Sequence, residues 1–433
     1  MIISNNLKKL SKIFHKTSPL YIVGGYVRDF LLSINTIDVD ICSKLGTNEV
    51  VNLLKNTEFT TNVVNKKLGT IIITVDNEKY EYTPFRVDNY LLDGTHSPSC
   101  IRFNVGLKDD FLRRDFTINA LYYDIEADRI IDNASCVDDI QNGLIRTIRE
   151  PEITFTEDAL RLFRMVRFSV VLGMKIDENT LFAGRKHAYL IKNLSNERVV
   201  DEFNKVIAKV DYSQMLDYVD LLFDSGIIQN LFYVDAKISN YKIVEGLEVY
   251  SPTIEFLYLC IFERYFYYKL DFVTGVKLDC FNDIVDVERK IYLVLDELLD
   301  LFKLPNKTKR NIYELICFTR LLVEVKSKME LDILLTHYYN IINSLLVTIQ
   351  SRIMVKNTIF VDVVFRFLTL VNTKPIKVTD LAISGKQLQE LGVEKRCTND
   401  VLTRLLEMVI TDKISNNYSS LASCVKEDKW IIQ

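Results

Sequence analysis

The hydrophobic pattern of the chain changes near residue 157. Before that point, short β-branched and aromatic runs end at turn residues, which is typical of strands. Five runs predict strands: "LYIVGG", "DVDICS", "GTIIITV", "KYEYTPF" and "ALYYDI". From Glu157 onward, apolar residues recur at spacings of three and four, which predicts helices. The chain is therefore expected to begin as an α+β domain and to continue as helices.

Helical spacing is clearest in five segments. A short helix is predicted at "YVRDFLLSI", after the two glycines that follow the first strand. Longer helices are predicted at "EDALRLFRMVRFSVVLG", "NERVVDEFNKVIAKV", "YSQMLDYVDLLFDSG" and "NDVLTRLLEMVITDK". A chain of 433 residues is too long for one compact core, so several domains are expected.

Composition narrows the class of protein. The formal net charge of −4 does not favour nucleic-acid binding overall, although such binding needs only a local basic face. The eight cysteines include no C-x-x-C pair, which argues against a paired-cysteine zinc site and favours a reducing compartment. The N-terminal stretch lacks a signal-peptide core, and Glu263 and Arg264 interrupt the most apolar run. We therefore expect a cytoplasmic protein without membrane attachment.

Two aspartates are spaced i,i+2 in "IDVDI". On a strand, Asp38 and Asp40 would share one face, and Ile37, Val39 and Ile41 would point into the core. Two adjacent carboxylates repel unless a cation neutralises them, and all-oxygen ligands suit Mg²⁺ or Mn²⁺. The alternative is a solvated strand face. The glycine turn and Arg28 just upstream favour a metal site.

The glycine turn connects a strand to a helix. Gly24 and Gly25 allow the backbone to approach a ligand closely, and the N–H groups that begin the helix favour phosphate. Arg28, about one turn later, can add a bidentate phosphate contact. The alternative is a helix start without a ligand, with Asp29 paired to a neighbouring cation.

Two further segments carry charged residues at suggestive positions. Adjacent Arg113 and Arg114 before Asp115 suit either phosphate or ribose binding, or a buried salt bridge. In the helix predicted from Glu157, four charged residues recur every three positions: Asp158, Arg161, Arg164 and Arg167. This spacing sweeps about half of the helix circumference, so only neighbours can meet one ligand group together. The alternative is a solvated cationic face with an i,i+3 ion pair.

Taken together, these motifs resemble a known family. "GGYVRDFLL", "DVDI", "GTIIITV", "YEYTPFR", "RRDFTINAL", "EDALRLFRMVRF" and "SNERVVDEFNKVI" occur in the order typical of class II tRNA nucleotidyltransferases. These are CCA-adding enzymes, with close relatives among bacterial poly(A) polymerases. The resemblance is strong over residues 20–210. "LLFDSGIIQNLF" and "ISGKQLQELGVEKR" extend it more weakly.

The resemblance implies an α+β nucleotidyltransferase head, with a polymerase-beta-like mixed sheet, and all-α neck, body and tail domains. The corresponding ranges are 1–153, 154–215, 216–325 and 326–433. It also implies two Mg²⁺ ions, with Mn²⁺ possible, and tRNA, CTP and ATP as partners, with no obligate protein partner. The implied catalytic and metal-binding residues are Asp38 and Asp40, and Glu81 is a candidate third carboxylate or an exposed strand acid.

The implied nucleotide site combines all the remaining motifs. Its residues are Gly24, Gly25, Arg28, Arg113, Arg114, Asp115, Asp158, Arg161, Arg164 and Arg167. Asp158 and Arg161 would read the base, because cytosine and adenine both show an amino donor beside a ring-nitrogen acceptor. Uracil and guanine reverse these groups, and a buried mismatch costs a few kcal/mol. "SNERVVDEF" would brace the neck helices.

Two segments depart from the family pattern. "IDNASCVDDI" keeps only Asp132 of an expected Asp-Pro-x-Gly-Gly turn, and Thr95 stands where the flexible loop usually has an arginine. Full CCA addition is expected, and CC-adding or A-adding specialists and a poly(A) polymerase remain alternatives within the family. The alternative from another class is a non-catalytic RNA-binding protein on the same fold. Candidate RNA-binding cations are Lys303, Lys307, Lys309, Arg310 and Lys386.

Overall fold

A computed structural model of the chain divides into two compact units. The first unit comprises residues 1–202 and 220–234, and the second comprises residues 203–219 and 235–433. The structure describes residues 3–95, 97–232, 247–249, 253–265, 277–300, 304–342, 353–355 and 358–427, together with residues 270, 273 and 275.

The first unit contains a seven-stranded mixed sheet in the order β3-β4-β5-β2-β1-β8-β9. Only β2 and β5 pair in parallel, and the other neighbours are antiparallel. Two further strands, β6 and β7, form a separate antiparallel pair. The strands are β1 (Tyr21–Val23), β2 (Val39–Ser43), β3 (Thr60–Asn65), β4 (Thr70–Val75), β5 (Glu78–Pro84), β6 (Arg86–Asn89), β7 (Cys100–Phe103), β8 (Tyr122–Asp124) and β9 (Arg129–Ile131).

Helices follow and flank this sheet. The helices up to residue 231 are α1 (Asn5–His15), α2 (Gly25–Leu31), α3 (Thr47–Leu54), α4 (Leu107–Leu112), α5 (Cys136–Gln141), α6 (Pro151–Glu157), α7 (Leu160–Leu172), α8 (Glu178–His187), α9 (Asn196–Ile207), α10 (Tyr212–Asp224) and α11 (Ile227–Leu231). Short 3₁₀ turns lie at Thr117–Asn119 and Ala188–Asn193, and Leu144–Ile145 pairs with Lys175–Ile176.

The described part of the second unit is mainly helical. Its helices after residue 231 are α12 (Ile254–Tyr265), α13 (Phe281–Asp300), α14 (Asn306–Leu322), α15 (Lys328–His337), and the helices Thr358–Thr373, Gly385–Glu390, Thr398–Ile410 and Tyr418–Glu427. Two short strands, Leu247–Val249 and Ile353–Val355, pair antiparallel, and 3₁₀ turns lie at Val378–Asp380 and Lys395–Cys397. Within the described residues, no helix is long and apolar enough to cross a bilayer.

The five predicted strands are confirmed as β1, β2, β4, β5 and β8. Their inward side chains form the core of the head: Ile22, Ile41, Ile73 and Tyr82 are buried. The sequence did not predict β3, because it is largely polar and exposed. Its residues pair only at the edge of the sheet, where burial does not impose an apolar pattern.

One predicted orientation in "IDVDI" is wrong. Ile37 does not enter the core and is 91% exposed. The reason is that β2 begins at Val39, where its pairing with Tyr80 of β5 begins. Asp38 therefore lies before the strand, and the alternation of faces holds only from Val39 onward.

The start predicted for the helix at Glu157 is also wrong, whereas the rest of that helix is confirmed as α7 (Leu160–Leu172). Helix α6 ends at Glu157, and Asp158 adopts an extended conformation with φ −153° and ψ 100°. Its carboxylate then accepts the Leu160 N–H at 2.9 Å, close to the start of α7. An aspartate that hydrogen-bonds to nearby backbone N–H groups favours a helix start over a helix interior, so the chain breaks there.

Candidate active site

A cleft of about 450 Å³ opens within the first unit. All the predicted catalytic and nucleotide-binding residues line it except Asp38, Glu81 and Arg167. Six arginines and four aspartates face it, an excess of two positive charges in a chain whose formal charge is −4. The cleft is lined by Gly24, Gly25, Arg28, Asp40, Arg86, Asp88, Tyr90, Arg113, Arg114, Asp115, Asn119, Asp158, Arg161, Arg164 and Phe168.

Strand register brings the Asp40 carboxylate, which lines the cleft, next to that of Glu81, which does not. Asp40 of β2 and Glu81 of β5 are direct partners in the parallel pair, so their side chains share a face. The Asp40 side chain reaches solvent, but desolvation by its surroundings, then Glu81 and Asp38, raise the pKa of Asp40 to about 6 against the opposing charge of Arg114. This crowding of negative charge is what a bound cation would relieve.

Among the residues that the structure describes, no group of three or more histidine, cysteine, aspartate or glutamate side chains is arranged to hold a metal ion. Asp38 is exposed and precedes β2, and its charge contributes to the raised pKa of Asp40. Carboxylates from β2 and β5 would therefore supply only part of a coordination shell. Mg²⁺ commonly completes its octahedral shell with water and substrate phosphate oxygens, so the residues present fit such an ion.

The glycine turn after β1 requires glycine at Gly24. Its φ of 76° and ψ of −128° lie outside the conformations that side chains readily allow. Its N–H donates to the Leu121 carbonyl at 3.1 Å, and an added Cβ would lie 3.6 Å from Arg114 Nη1. The turn thus places the start of α2 against the arginines of the cleft.

Arg28 is buried, and its partners are fixed. Its Nε and Nη2 donate to Asp29 Oδ1 at 2.8 and 2.6 Å, so Asp29 pairs with a neighbouring cation as one reading of the sequence proposed. Nη1 donates to Asn119 Oδ1 at 2.6 Å. The Asn119 amide in turn donates to Asp115 at 3.3 Å, which links α2 to the "RRDFTINAL" segment.

Asp110 organises the two adjacent arginines. It is fully buried on α4 and accepts from Arg113 Nε at 2.8 Å, Arg114 Nη2 at 3.1 Å and the Tyr122 hydroxyl at 2.6 Å. Burial opposes its ionisation, but the two guanidinium groups outweigh burial and lower the pKa of Asp110 to about 2. The arginines are therefore held by a buried salt bridge and also face the cleft.

Asp115 connects this segment to α7. Arg164 donates to Asp115 Oδ2 through Nε at 2.6 Å, and the Phe116 N–H donates to Oδ1 at 2.9 Å. Burial would raise the pKa of Asp115, but Arg164 and the backbone N–H lower it to about 2. Both readings of Arg114 and Asp115, ligand site and salt bridge, are compatible with this geometry.

Asp158 and Arg161 lie side by side at the helix break. Arg161 Nε lies 3.8 Å from Asp158 Oδ2, and burial raises the pKa of Asp158 against the opposing charge of Arg161. Arg161 is oriented by the Thr154 carbonyl at 3.1 Å, Glu157 at 3.2 Å and the Arg113 carbonyl at 2.9 Å. A carboxylate acceptor and a guanidinium donor are thus presented together at one end of the cleft.

Other predicted residues lie elsewhere. Arg167 does not line the cleft, because its Nε donates at 2.8 Å to Glu202, a buried residue of the "SNERVVDEF" segment. The Arg167–Glu202 ion pair thus connects α7 to α9. The segment that contains Glu202 was expected to brace the neck helices. Glu202 was not singled out from the sequence, because an acidic residue in an amphipathic helix resembles many others.

The candidate RNA-binding cations lie in the second unit. Lys303 lies outside the described residues. Lys309 pairs with Asp300, and Arg310 donates to Glu314 at 2.6 Å. Lys307 is exposed, and Lys386 is exposed one residue into the helix that begins at Gly385.

Sequence reasoning missed several residues at the cleft. Asp88, Tyr90, Asn119 and Phe168 line it, although no motif role was assigned to them. Tyr90 lies under Arg161, with the guanidinium carbon 5.7 Å from the ring centroid. The adjacent loop is anchored by Gly94, whose N–H donates to the Thr156 carbonyl at 2.7 Å.

The two segments that depart from the family pattern adopt ordered turns. Thr95 donates to Asp93 Oδ1 through its hydroxyl at 2.7 Å and through its backbone N–H at 2.9 Å. Asp132 accepts backbone N–H groups of Ala134, Cys136 and Val137 at 3.1, 2.9 and 3.0 Å. A single aspartate therefore begins α5 without the usual proline and glycines.

A mixed sheet, a glycine turn and paired carboxylates beside an arginine-lined cleft define a nucleotidyltransferase-type head. Comparison with known families agrees: residues 20–146 match the Poly A polymerase head domain, and residues 173–234 match a segment described as the probable RNA and SrmB-binding site of polymerase A. Residues 20–146 of this chain are therefore similar to the head domain of the Poly A polymerase family.

Curated relatives narrow the resemblance to CCA-adding enzymes. The chain is 38% identical to the CCA-adding enzyme of Oceanobacillus iheyensis over 227 residues, which cover 50% of this chain and 55% of that protein. It is 35% identical to that of Streptococcus gordonii over 245 residues, 57% of this chain and 59% of the relative. The chain thus matches little more than half the length of these curated relatives.

Solved structures extend the likeness in fold over nearly the whole chain. The CCA-adding enzyme of Bacillus stearothermophilus in complex with CTP has a TM-score of 0.60 at 21% identity and covers 98% of this chain and 96% of its own. An apo CCA-adding enzyme has a TM-score of 0.66 at 18% identity, with coverage of 98% and 96%. These solved structures share the fold of this chain, which is an α+β head followed by helices.

Proposed function

We propose that the chain adds CCA to the 3′ end of tRNA from CTP and ATP without a template. The observation that carries the proposal is the cleft, which unites strand carboxylates, an arginine-rich wall and the Asp158/Arg161 pair within one unit. The relatives named CCA-adding enzymes support it, as do solved CCA-adding enzymes in complex with ATP, with CTP and with tRNA.

The reaction forms one phosphorus–oxygen bond and breaks another. The 3′-hydroxyl oxygen of the tRNA attacks the α-phosphorus of the bound nucleotide, and pyrophosphate leaves with the bridging oxygen. Arg28 and Arg114 would hold the triphosphate, since guanidinium groups bind phosphate oxygens in a bidentate manner. Preorganised positive charge also stabilises the negative charge that develops on the leaving pyrophosphate.

Asp40 and Glu81, with Asp38 before the strand, would hold divalent metal. Mg²⁺ ions bound there would lower the pKa of the attacking hydroxyl and neutralise the leaving group. Two ions, with Mg²⁺ preferred and Mn²⁺ acceptable, fit an all-oxygen ligand set. The position of Asp40 beside Glu81 supports this assignment: desolvation and then the neighbouring carboxylates raise the pKa of Asp40, and a bound cation would offset that effect.

Base selection would rest on Asp158 and Arg161. Asp158 accepts from the amino group of cytosine or adenine, and Arg161 donates to the adjacent ring nitrogen. Arg161 is held by two backbone carbonyls and Glu157, so it is preorganised for this role. Uracil would place its carbonyl against Asp158, which leaves buried groups mismatched and strongly disfavours binding.

The proposed organisation is a head at 1–153, a neck at 154–215, a body at 216–325 and a tRNA-binding tail at 326–433. Residue 153 lies within α6, so the head and neck are continuous in secondary structure. A location in the cytoplasm fits a tRNA substrate and remains a prediction, as do the tRNA contacts of Lys307 and Lys386.

A single-nucleotide extension assay tests the proposal. The purified protein with Mg²⁺ would receive tRNA transcripts that lack three, two or one of the terminal CCA nucleotides, together with CTP, ATP or both. Growth to a complete CCA end followed by a stop, lost in a double Asp38→Ala, Asp40→Ala variant, is the expected result.

The other outcomes identify the alternatives. Addition of two cytidines only would indicate a CC-adding specialist, and addition of adenosine only to a CC end would indicate an A-adding one. Long adenosine ladders would indicate a poly(A) polymerase. RNA binding without extension would indicate a non-catalytic RNA-binding protein.

A further inference from the structure

Phe168 on α7 is surrounded by guanidinium groups. The guanidinium carbons of Arg28, Arg164 and Arg167 lie 5.4, 5.3 and 4.4 Å from its ring centroid. All three distances fall within the range of favourable cation–π contact. Phe168 itself is 7% exposed and lines the cleft. One phenyl ring therefore contacts arginines from α2 and from α7.

Asn119 makes a second connection between the same elements. It is 7% exposed, its Oδ1 accepts from Arg28 Nη1 at 2.6 Å, and its Nδ2 donates to Asp115 at 3.3 Å. Asp115 accepts from Arg164 Nε at 2.6 Å. An amide is suited to this position, because it offers an acceptor to a cation and a donor to a carboxylate at once.

These contacts reduce the cost of holding several arginine side chains close together at the site. Arginine side chains carry about 2 kcal/mol of rotamer entropy, and neighbouring guanidinium groups repel each other. The Phe168 ring restricts their positions while its negative face offsets part of the repulsion. The Asn119 amide fixes the orientation of the Arg28 fork.

We propose that Phe168 and Asn119 are positioning residues that couple Arg28 of the phosphate site to Arg164 on α7, the helix that carries Arg161. The inference deepens the proposed function and rests on it. It means that phosphate binding and base selection are not independent, since a shift of α7 relative to α2 would move both sets of ligands. Neither residue needs to touch the reacting atoms.

Phe168→Leu tests the coupling, because leucine keeps an apolar side chain but removes the ring face. The control is Phe14→Leu on α1, where the phenylalanine is fully buried and does not line the cleft. Both variants should lower the thermal midpoint. Phe168→Leu alone should raise KM for CTP about tenfold, as loss of two or three cation–π contacts predicts, and should reduce the preference for CTP over UTP.

Asn119→Ala provides a second variant with a smaller change in packing. It should raise KM for CTP and reduce the CTP/UTP preference in the same direction. Calorimetric titration with CTP in the absence of tRNA would show weaker binding for both cleft variants and unchanged binding for Phe14→Leu.

Two results would overturn the inference. If wild type binds CTP but Phe168→Leu and Asn119→Ala bind it with unchanged affinity and selectivity, the residues have only a structural role and the proposed function stands. If wild-type protein with Mg²⁺ binds neither CTP nor ATP, the proposed function fails and this inference fails with it.

Discussion

Buried charge has different consequences in the two units. In the first unit, Arg28, Asp115 and Arg161 are buried, are held by neighbours and still face an open cleft. In the second unit, buried Arg320 donates to Glu324 at 2.8 Å and to the Leu270 carbonyl at 3.2 Å, so its charge is satisfied by the same unit. Burial of charge is therefore poor evidence for a site, and convergence of several arginines on an accessible space is better evidence.

The largest expected effect is a loss of nucleotide addition when a charged residue of the cleft is replaced. Asp40→Asn should reduce nucleotide addition by about a thousandfold or more, because it removes the anionic side chain that we propose as a metal ligand. The protein should remain folded, since relief of repulsion with Glu81 offsets the lost charge. Single-turnover extension of tRNA that lacks the terminal adenosine measures this effect, with circular dichroism as the control for folding. Retention of even a tenth of wild-type activity would exclude Asp40 as a metal ligand.

The second unit should respond in stability instead. Arg320→Met should lower the free energy of unfolding by about 3–5 kcal/mol, because it leaves Glu324 buried without its cation. Denaturant titration of the helical signal measures this change. In molecules that remain folded, KM for CTP should stay unchanged.

A matched control for that variant lies on the same helix. The Arg310–Glu314 pair has the same i,i+4 spacing as Arg320–Glu324, but the Arg310 side chain is 78% exposed. Arg310→Met should therefore change stability by about 0.5 kcal/mol or less. Equal losses from the two variants would contradict the role assigned to burial.

A smaller effect concerns selectivity at the cleft. Asp158→Asn should reduce the preference for CTP over UTP by about tenfold to a hundredfold, because the amide can donate to the uracil carbonyl where the carboxylate could not. Competition between CTP and UTP in a single-addition assay measures the ratio. Asp93→Asn, on the loop beside the cleft, is a suitable control, since its side chain contacts Thr95 rather than the predicted base site. A CTP/UTP ratio that Asp158→Asn leaves unchanged would remove Asp158 from base selection.

The smallest expected effect is on acid stability of the first unit. The folded-state pKa values of Asp110 and Asp115 lie near 2, below the value of about 3.9 for an unfolded aspartate. Their stabilising contribution is therefore complete above pH 4 and is lost as the pH falls toward 2. Asp110→Asn should lower the free energy of unfolding at pH 6 by on the order of 1–2 kcal/mol, and the thermal midpoint with it. Below pH 4, the thermal midpoint of the variant should decline less steeply than that of wild type.

Calorimetric scans from pH 6 to pH 3 compare the two proteins. Parallel declines of wild type and Asp110→Asn would show that the Asp110 salt bridge with Arg113 and Arg114 is not a source of the acid sensitivity.

The sequence by itself determined the local features of this protein. Alternation in "KYEYTPF" and the apolar run in "LYIVGG" predicted β5 and β1, because inward side chains must be apolar at every second position or throughout a buried strand. Gly24 was identifiable because only glycine tolerates the backbone turn that leads into α2. The charged motifs at Arg28, Arg114 and Arg161 were recognisable by their resemblance to the family, whereas their spacing alone left the alternatives open.

Only the tertiary structure decided how these parts meet. The pairing of Asp40 with Glu81 depends on the register between two strands nearly forty residues apart in the chain, and a shift of one residue would turn Glu81 to the other face. Arg167 does not line the cleft, because its guanidinium pairs with the buried Glu202 on α9. Asn119 and Phe168 lie within the recognised motifs "RRDFTINAL" and "EDALRLFRMVRF", but no role was assigned to them. An amide and a phenyl ring acquire such a role only when folding places arginines from distant segments around them.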